Sequence, residues 1–226
     1  MTISDQTAYN ERSGSGGKLD PLFLIVMGWA GLAGCAVLIL GTIVAPWFVP
    51  HHDWVADTIS DLAAGEWEII MDVSLYAFAA GLFCLALGAA HAHPGGKSWS
   101  LGVVSLGLLA ALVTIIAARN EYGDGDSEGV EIHIYLVYGL GLLFFAAPLL
   151  LARGTKHFVS WARPALIILG SAWAAAAPLF FLLPNSVDGL YERALGILSC
   201  AILAVLCSVF IGYGRRVSAR QNASTR

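Results

Sequence analysis

The stretch LFLIVMGWAGLAGCAVLILGTIVA, residues 22–45, decides the fold, because its 24 residues include no charged side chain. An α-helix rises about 1.5 Å per residue, so about 20 apolar residues cross the hydrocarbon core of a bilayer. Lipid offers the backbone no hydrogen-bond partners, and a helix satisfies the N–H and C=O groups of a single segment internally. The stretch therefore predicts a transmembrane α-helix.

Similar apolar stretches recur along the rest of the chain, at residues 69–90, 101–118, 132–151, 162–183 and 194–213. Of all residues, 58% are hydrophobic and 12% are charged, with a mean hydropathy of +0.73. These values lie far outside the range of soluble domains. We predict an all-α membrane protein, a bundle of six transmembrane helices formed by residues 21–214.

The basic residues predict how the bundle is oriented, because short loops rich in Lys and Arg stay in the cytoplasm. With the amino terminus inside, ten of the twelve Lys and Arg residues fall on the cytoplasmic side and only Arg119 and Arg193 fall outside. Both termini are therefore predicted to be cytoplasmic. Residues 1–20 are polar and rich in Gly and Ser, which predicts a disordered tail, and residues 215–226 form a basic tail.

Charge and cysteine content exclude several classes of protein. A net charge of −4 and a pI near 5.8 argue against nucleic-acid binding, which needs a concentrated basic face. The four cysteines lie in apolar stretches without a CxxC pair, so neither a disulfide framework nor a thiolate zinc site is predicted. Residues 32–35, LAGC, resemble a lipoprotein box, but the apolar run continues beyond them to full membrane length.

Most acidic residues fall on the predicted outer side, where polar chemistry is therefore expected. In the first outer loop, Thr58-x-x-Asp61 has the character of a capping box, which predicts a short interfacial helix. Asp72 lies one turn inside the second segment, where a carboxylate needs a partner or a water-filled pocket. Arg193, at the outer start of the sixth segment, is the candidate partner.

Two patterns suggest metal ligands on this side. His51, His52 and His133 supply three imidazoles, the number of protein ligands in a catalytic zinc site, although no HxxxH spacing places two of them on one helix. The second outer loop places oxygen ligands at alternate positions, in Asp124, Asp126 and Glu128, as in the first half of a calcium loop. Position twelve of such a loop, counted from Asp124, is Tyr135 instead of the bidentate glutamate that calcium needs. A solvated acidic loop is therefore the competing interpretation.

Three segments together resemble the bacterial and archaeal membrane family known as domain of unknown function 998. They are Ile59-Ser60-Asp61-Leu62 after the first segment, a histidine opening the fourth segment, and Gly189-Leu190-Tyr191-Glu192-Arg193 opening the sixth. The resemblance implies six transmembrane helices and no assigned activity. It marks Ser60, Asp61, His133, Glu192 and Arg193. More distantly, the chain is similar to the DRAM and FGF-receptor-activating-protein group, which is associated with lipid remodelling.

These observations favour a bacterial inner-membrane protein with an outer polar pocket that binds or modifies a lipid headgroup. Ser60, Asp61 and His133 are the candidate catalytic residues. Asp72, Glu192 and Arg193 are the candidate substrate-binding residues, with Arg193 pairing to a phosphate or carboxylate. The alternatives are a non-catalytic subunit or scaffold that meets a membrane-protein partner or a second copy of itself, and, third, a small transporter using Asp72.

The catalytic alternative makes a prediction about His133. If this histidine is the acid or base of a reaction, His133→Ala abolishes activity on the lipid while the protein still accumulates in the membrane. Activity and membrane abundance are both measured, the latter by quantitative immunoblotting. A variant that fails to accumulate identifies a structural role instead.

Overall fold

The computed structural model describes residues 19–64, 66–118 and 132–224, with only the backbone for residues 132 and 133. Within these ranges the chain forms helices and no strand, so the predicted all-α class is confirmed. The tail predicted to be disordered lies outside the described residues except for residues 19 and 20. The α-helices are α1 (Pro21–Val44), α2 (Ile59–Leu62), α3 (Glu68–His91), α4 (Lys97–Ala118), α5 (Ile132–Thr155), α6 (Ala162–Ala176) and α7 (Asp188–Ser224).

Six helical stretches are long and apolar enough to cross a membrane, as the hydropathy pattern predicts. They are Pro21–Trp47, Glu68–His91, Lys97–Ala118, Ile134–Thr155, Ala162–Leu182 and Asn185–Ser224. Large apolar side chains such as Leu142 and Ile168 are exposed on the bundle surface, where lipid rather than water is the expected surrounding.

The six long helices pack as a closed ring. Each contacts its neighbour in chain order, and α7 returns to pack against α1. The core inside the ring is apolar, with Leu24, Leu82, Leu85 and Phe210 almost completely buried. We call the end of the ring that carries residues 45–67 the predicted outer end, because its side of the membrane follows from the basic residues.

Helices α1 and α3 approach closely through small residues, as the Ala30-x-x-x-Gly34 pattern predicts. A Cβ atom added at Gly34 would lie 2.7 Å from the carbonyl oxygen of Ala77 and 3.2 Å from the Cα of Gly81. Gly81 in turn packs near the carbonyl oxygen of Ala30, since its own added Cβ would lie 3.3 Å from that atom. Backbone meets backbone here, so no side chain fits at Gly34.

Two local predictions concern the ends of helices. The short helix in the first outer loop is confirmed, since Ile59–Leu62 is helical and Thr58 and Asp61 form a reciprocal capping box. The helix containing Pro178 changes at Ala177–Leu182 from α to 3₁₀ geometry, consistent with the hydrogen bond that proline removes. Helix α7 runs from Asp188 to Ser224 and so extends beyond both ends of the predicted segment at residues 194–213.

The close contact at Gly34 generates a prediction about stability. Gly34→Ala forces α1 away from α3 and lowers the free energy of unfolding by about 1–3 kcal/mol, as overpacking does in other cores. The midpoint of thermal unfolding in detergent reports the change. Gly107→Ala in α4 is the matched control, because an added Cβ there meets nothing within 4 Å. Equal midpoints for the two variants would contradict the prediction.

Candidate functional site

The loop after α1, called the first outer loop from its predicted orientation, folds over residues 53–57 into a turn that its own aspartates stabilise. The Asp53 carboxylate accepts hydrogen bonds from the backbone N–H groups of Val55, at 2.8 Å, and Ala56, at 3.3 Å. The Asp57 carboxylate accepts one from the N–H of Asp53, at 2.7 Å. The two N–H donors hold the pKa of Asp53 below its usual value, because they stabilise its charged form.

The next residues form α2, which is capped from two directions. Within the loop, the Thr58 hydroxyl accepts from the N–H of Asp61 at 3.0 Å, and the Asp61 carboxylate accepts from the N–H of Thr58 at 2.6 Å. From α7, the Glu192 carboxylate accepts from the N–H of Ile59 at 2.6 Å and lies 3.5 Å from the Ser60 hydroxyl. Predicted site residues Ser60, Asp61 and Glu192 therefore do come together, as caps of one helix.

Arg193, also on α7, holds the turn before α2. Its Nη1 donates to the backbone carbonyl oxygens of Trp54, at 3.2 Å, and Asp57, at 2.9 Å. Its guanidinium carbon lies 4.8 Å from the centre of the Trp54 ring, a distance typical of a cation–π contact. Arg193 is only 8% exposed. We call the assembly of Arg193, His52, Trp54 and Asp57 the clasp.

His52 completes the clasp in a defined protonation state. Its Nε2 lies 2.9 Å from Nη2 of Arg193. Because a guanidinium only donates, Nε2 must accept, and the ring is neutral with its proton on Nδ1. Nδ1 lies 3.4 Å from the Asp57 carboxylate. Burial first, and then the Arg193 charge, lower the pKa of His52 below its usual value, while the carboxylates of Asp57, Asp61 and Asp53 act in the opposite direction.

The backbone at the start of α7 also bonds to the loop. Gly189 and Leu190 donate their N–H groups to the carbonyl oxygens of Ala56, at 3.1 Å, and Val55, at 3.0 Å. The first N–H groups of a helix lack partners within the helix, and here the loop supplies them. A Cβ atom at Gly189 would collide with the carbonyl group of Asp57, so only glycine permits this approach.

A polar recess lies beside the clasp, with a volume of about 490 Å³. The turn, α2 and the start of α7 form its walls, and three of its lining side chains are carboxylates. Its lining residues are Ala56, Asp57, Thr58, Asp61, Asn185, Ser186 and Asp188. The recess therefore shares Asp57 with the clasp and Asp61 with the helix cap.

Asp72 does not join the clasp, although Arg193 was its predicted partner. The hydrogen bonds of Arg193 within the described residues go to the first outer loop. One carboxylate oxygen of Asp72 is buried and has no hydrogen-bond partner among the described residues. The carboxylate of Glu68, one turn earlier on the same helix, lies near enough to repel it. Asp72 thus lies apart from the other predicted site residues.

Neither predicted metal site has a complete ligand set among the described residues. His51 is exposed, with a backbone φ of 60°, while both ring nitrogens of His52 face protein partners. The His133 side chain and the predicted calcium ligands Asp124, Asp126 and Glu128 lie outside the described residues. Across residues 19–64, 66–118 and 134–224 no group of three His, Cys, Asp or Glu side chains could hold a metal ion.

Residues 32–209 match the model of a family described as "Protein of unknown function (DUF998)". The chain belongs to the DUF998 family. The matched range contains all six membrane-spanning helices in whole or in part, together with the clasp and the recess, and confirms the resemblance inferred from the motifs at residues 59–62 and 189–193. No curated protein and no solved structure matches the chain.

Sequence reasoning missed the roles of Asp57, Trp54 and Gly189, and it assigned His52 to zinc. Gly189 carried a signal, since it sits within the motif that led to the family, but a single glycine does not reveal which backbone approaches it. The partners of Arg193 are largely backbone carbonyls, which every residue carries, so no pattern in the sequence distinguishes them.

The contact between Gly189 and the loop generates a prediction about DUF998 architecture. Gly189→Ala pushes the turn off α7 and destabilises the protein by about 1–3 kcal/mol, because the added methyl group meets backbone that cannot turn aside. Thermal unfolding in detergent is the measurement. Gly196→Ala on the same helix is the control, since its added Cβ would lie 3.8 Å from Ile59, an ordinary contact. If both variants unfold at the same temperature as the wild type, the packing of the loop against α7 does not require this glycine.

Proposed function

We propose that this DUF998 protein binds the headgroup of a membrane lipid in the recess at its predicted outer end. The observation that carries the proposal is a polar recess of about 490 Å³ at the end of an otherwise apolar bundle. That volume falls in the range of small-molecule sites, about 300–1,000 Å³. Leu182 and Leu190, beside the lining residues in sequence, are 77% and 56% exposed and offer apolar surface to the chains of a lipid.

The lining of the recess favours one class of headgroup. Asp57, Asp61 and Asp188 contribute carboxylates, and no Lys or Arg is among the lining residues that the structure describes. Carboxylates attract ammonium groups, accept hydrogen bonds from hydroxyls and repel bare phosphate. A headgroup that ends in an amine or in several hydroxyls is therefore the best fit. Arg193 is a poor phosphate ligand in this arrangement, because both terminal nitrogens of its guanidinium already bond to the loop.

Binding is better supported than catalysis. A general acid or base must reach the reacting group, whereas Asp61 and Glu192 cap α2, and the Ser60 hydroxyl lies 3.5 Å from the Glu192 carboxylate. The distant resemblance to the DRAM group, which was expected from the sequence alone, would agree with a role involving lipids, although a shared fold does not by itself transfer a function. We also propose a bacterial inner-membrane location with both termini in the cytoplasm, as the distribution of basic residues predicts.

A second candidate function is that of a non-catalytic subunit or scaffold. The specific observation in its favour is that the side chains of Arg193, Glu192 and Asp61 form hydrogen bonds with the backbone of the first outer loop and so fix its position. On this hypothesis the rigid loop is a surface for a membrane-protein partner or a second copy of the chain. The two candidates differ in what purifies with the protein.

Native mass spectrometry of the protein, extracted in mild detergent with its lipids, tests the lipid proposal. We expect the wild type to retain one lipid class, and Ser186→Trp to lose most of it, because the indole fills the recess. Ser224→Trp is the matched control, since it introduces the same side chain at an exposed position at the far end of α7. Equal retention by the two variants, or a wild type without lipid, overturns the proposal. A retained protein partner in its place supports the scaffold.

A further inference from the structure

One contact of the clasp, the hydrogen bond between Arg193 and His52, forms only while His52 is neutral. Arg193 donates to Nε2 of His52 over 2.9 Å, and the His52 side chain is only 2% exposed. A protonated imidazole has no acceptor to offer, since both of its nitrogens then carry hydrogens. Protonation would therefore break this hydrogen bond and place a positive imidazolium beside the buried guanidinium of Arg193.

From this geometry we infer that His52 is a pH switch: acidification on the side of the membrane that this loop faces protonates the ring and releases the first outer loop from α7. The inference goes beyond lipid binding and holds whatever the recess takes up. Because Asp57 belongs to the clasp and also lines the recess, release of the clasp moves a wall of the recess. Acid is thus expected to open or reshape the recess.

The charges around His52 decide the direction of the switch. Arg193, from α7, opposes protonation, as does burial, whereas Asp57, Asp53 and Asp61, from the loop and α2, favour it. Burial and Arg193 prevail, and the pKa of His52 is lowered in the clasped state. In the released loop the ring regains the ordinary value of about 6.5.

The sign of the pH dependence follows from these two states. The clasped state binds fewer protons than the released state, so the clasp is fully stable above about pH 6.5 and weakens as the pH falls below that value. For each pH unit between the two pKa values, the ratio of clasped to released loop falls by up to about tenfold in acid. The pKa of Asp53 is also lowered, so protonation of Asp53 destabilises the folded loop in the same direction, but only at much lower pH, below about 4.

Hydrogen exchange measured by mass spectrometry tests the switch in the full-length protein. The reporters are the N–H groups of Gly189 and Leu190, which bond to the loop carbonyls only in the clasped state. The test variant is His52→Gln, because a glutamine oxygen accepts from Arg193 and does not titrate in this range. Comparing wild type and variant at the same pH cancels the intrinsic pH dependence of exchange.

At pH 8 we expect the two proteins to exchange at similar rates in residues 188–191. At pH 5 we expect the wild type to exchange faster than His52→Gln, by on the order of tenfold. His51→Gln is the matched control and should behave as the wild type, because the adjacent His51 is exposed and lies outside the clasp. The inference is overturned if the ratio of wild-type to His52→Gln exchange rates does not change with pH. It is also overturned if His51→Gln removes the pH response as well.

A second measurement keeps the inference testable if His52→Gln does not accumulate. Nitrogen-15 NMR of the histidine rings in the wild type reports tautomer and charge, with assignments from variants of the other five histidines. We expect the His52 ring to be neutral at pH 8 with its proton on Nδ1, and to titrate below about pH 6.5. A ring with its proton on Nε2, or one that titrates at or above that pH, contradicts the switch.

Discussion

The guanidinium of Arg193 is a permanent charge buried near the start of α7, and the predicted outer end of the protein is arranged around it. A buried charge is tolerated only when hydrogen bonds and opposite charges compensate for lost water. Two carbonyl oxygens, a neutral imidazole and an indole ring surround this one. The carboxylates of Glu192, Asp57 and Asp61 add attraction at longer range. The first outer loop lies against α7 because it supplies the hydrogen-bond acceptors that the buried guanidinium needs.

The described part of the bundle could largely be predicted from the sequence, because the signals for it are local. Each membrane-spanning helix carries its own apolar run, and the capping box at Thr58 and Asp61 joins residues three apart. The ends of α7 were the least predictable feature of the bundle. Hydropathy marks where a helix enters lipid, but Asp188–Ser224 continues as helix through polar residues on both sides.

The site was predicted in part. Reasoning from sequence and topology brought Ser60, Asp61, Glu192 and Arg193 to one end of the protein, and the structure places them within one network of contacts. The pairing of Arg193 was not predicted, because its hydrogen bonds reach carbonyls and an imidazole 136 to 141 residues away. A carboxylate such as Asp72 is visible in a sequence as a partner for arginine, whereas a backbone carbonyl is not.

The closed ring of helices has a consequence for how the protein is made. Of the six long helices, α1 is synthesised before the others, yet it packs in the ring against α7, which is synthesised after them. The carbonyls of Trp54 and Asp57 meet Arg193 only after more than a hundred further residues have been synthesised. Until then the first loop has no donor from α7. Assembly at this end is therefore a late event of biogenesis, and truncation before α7 leaves the earlier helices inserted but the loop without its anchor.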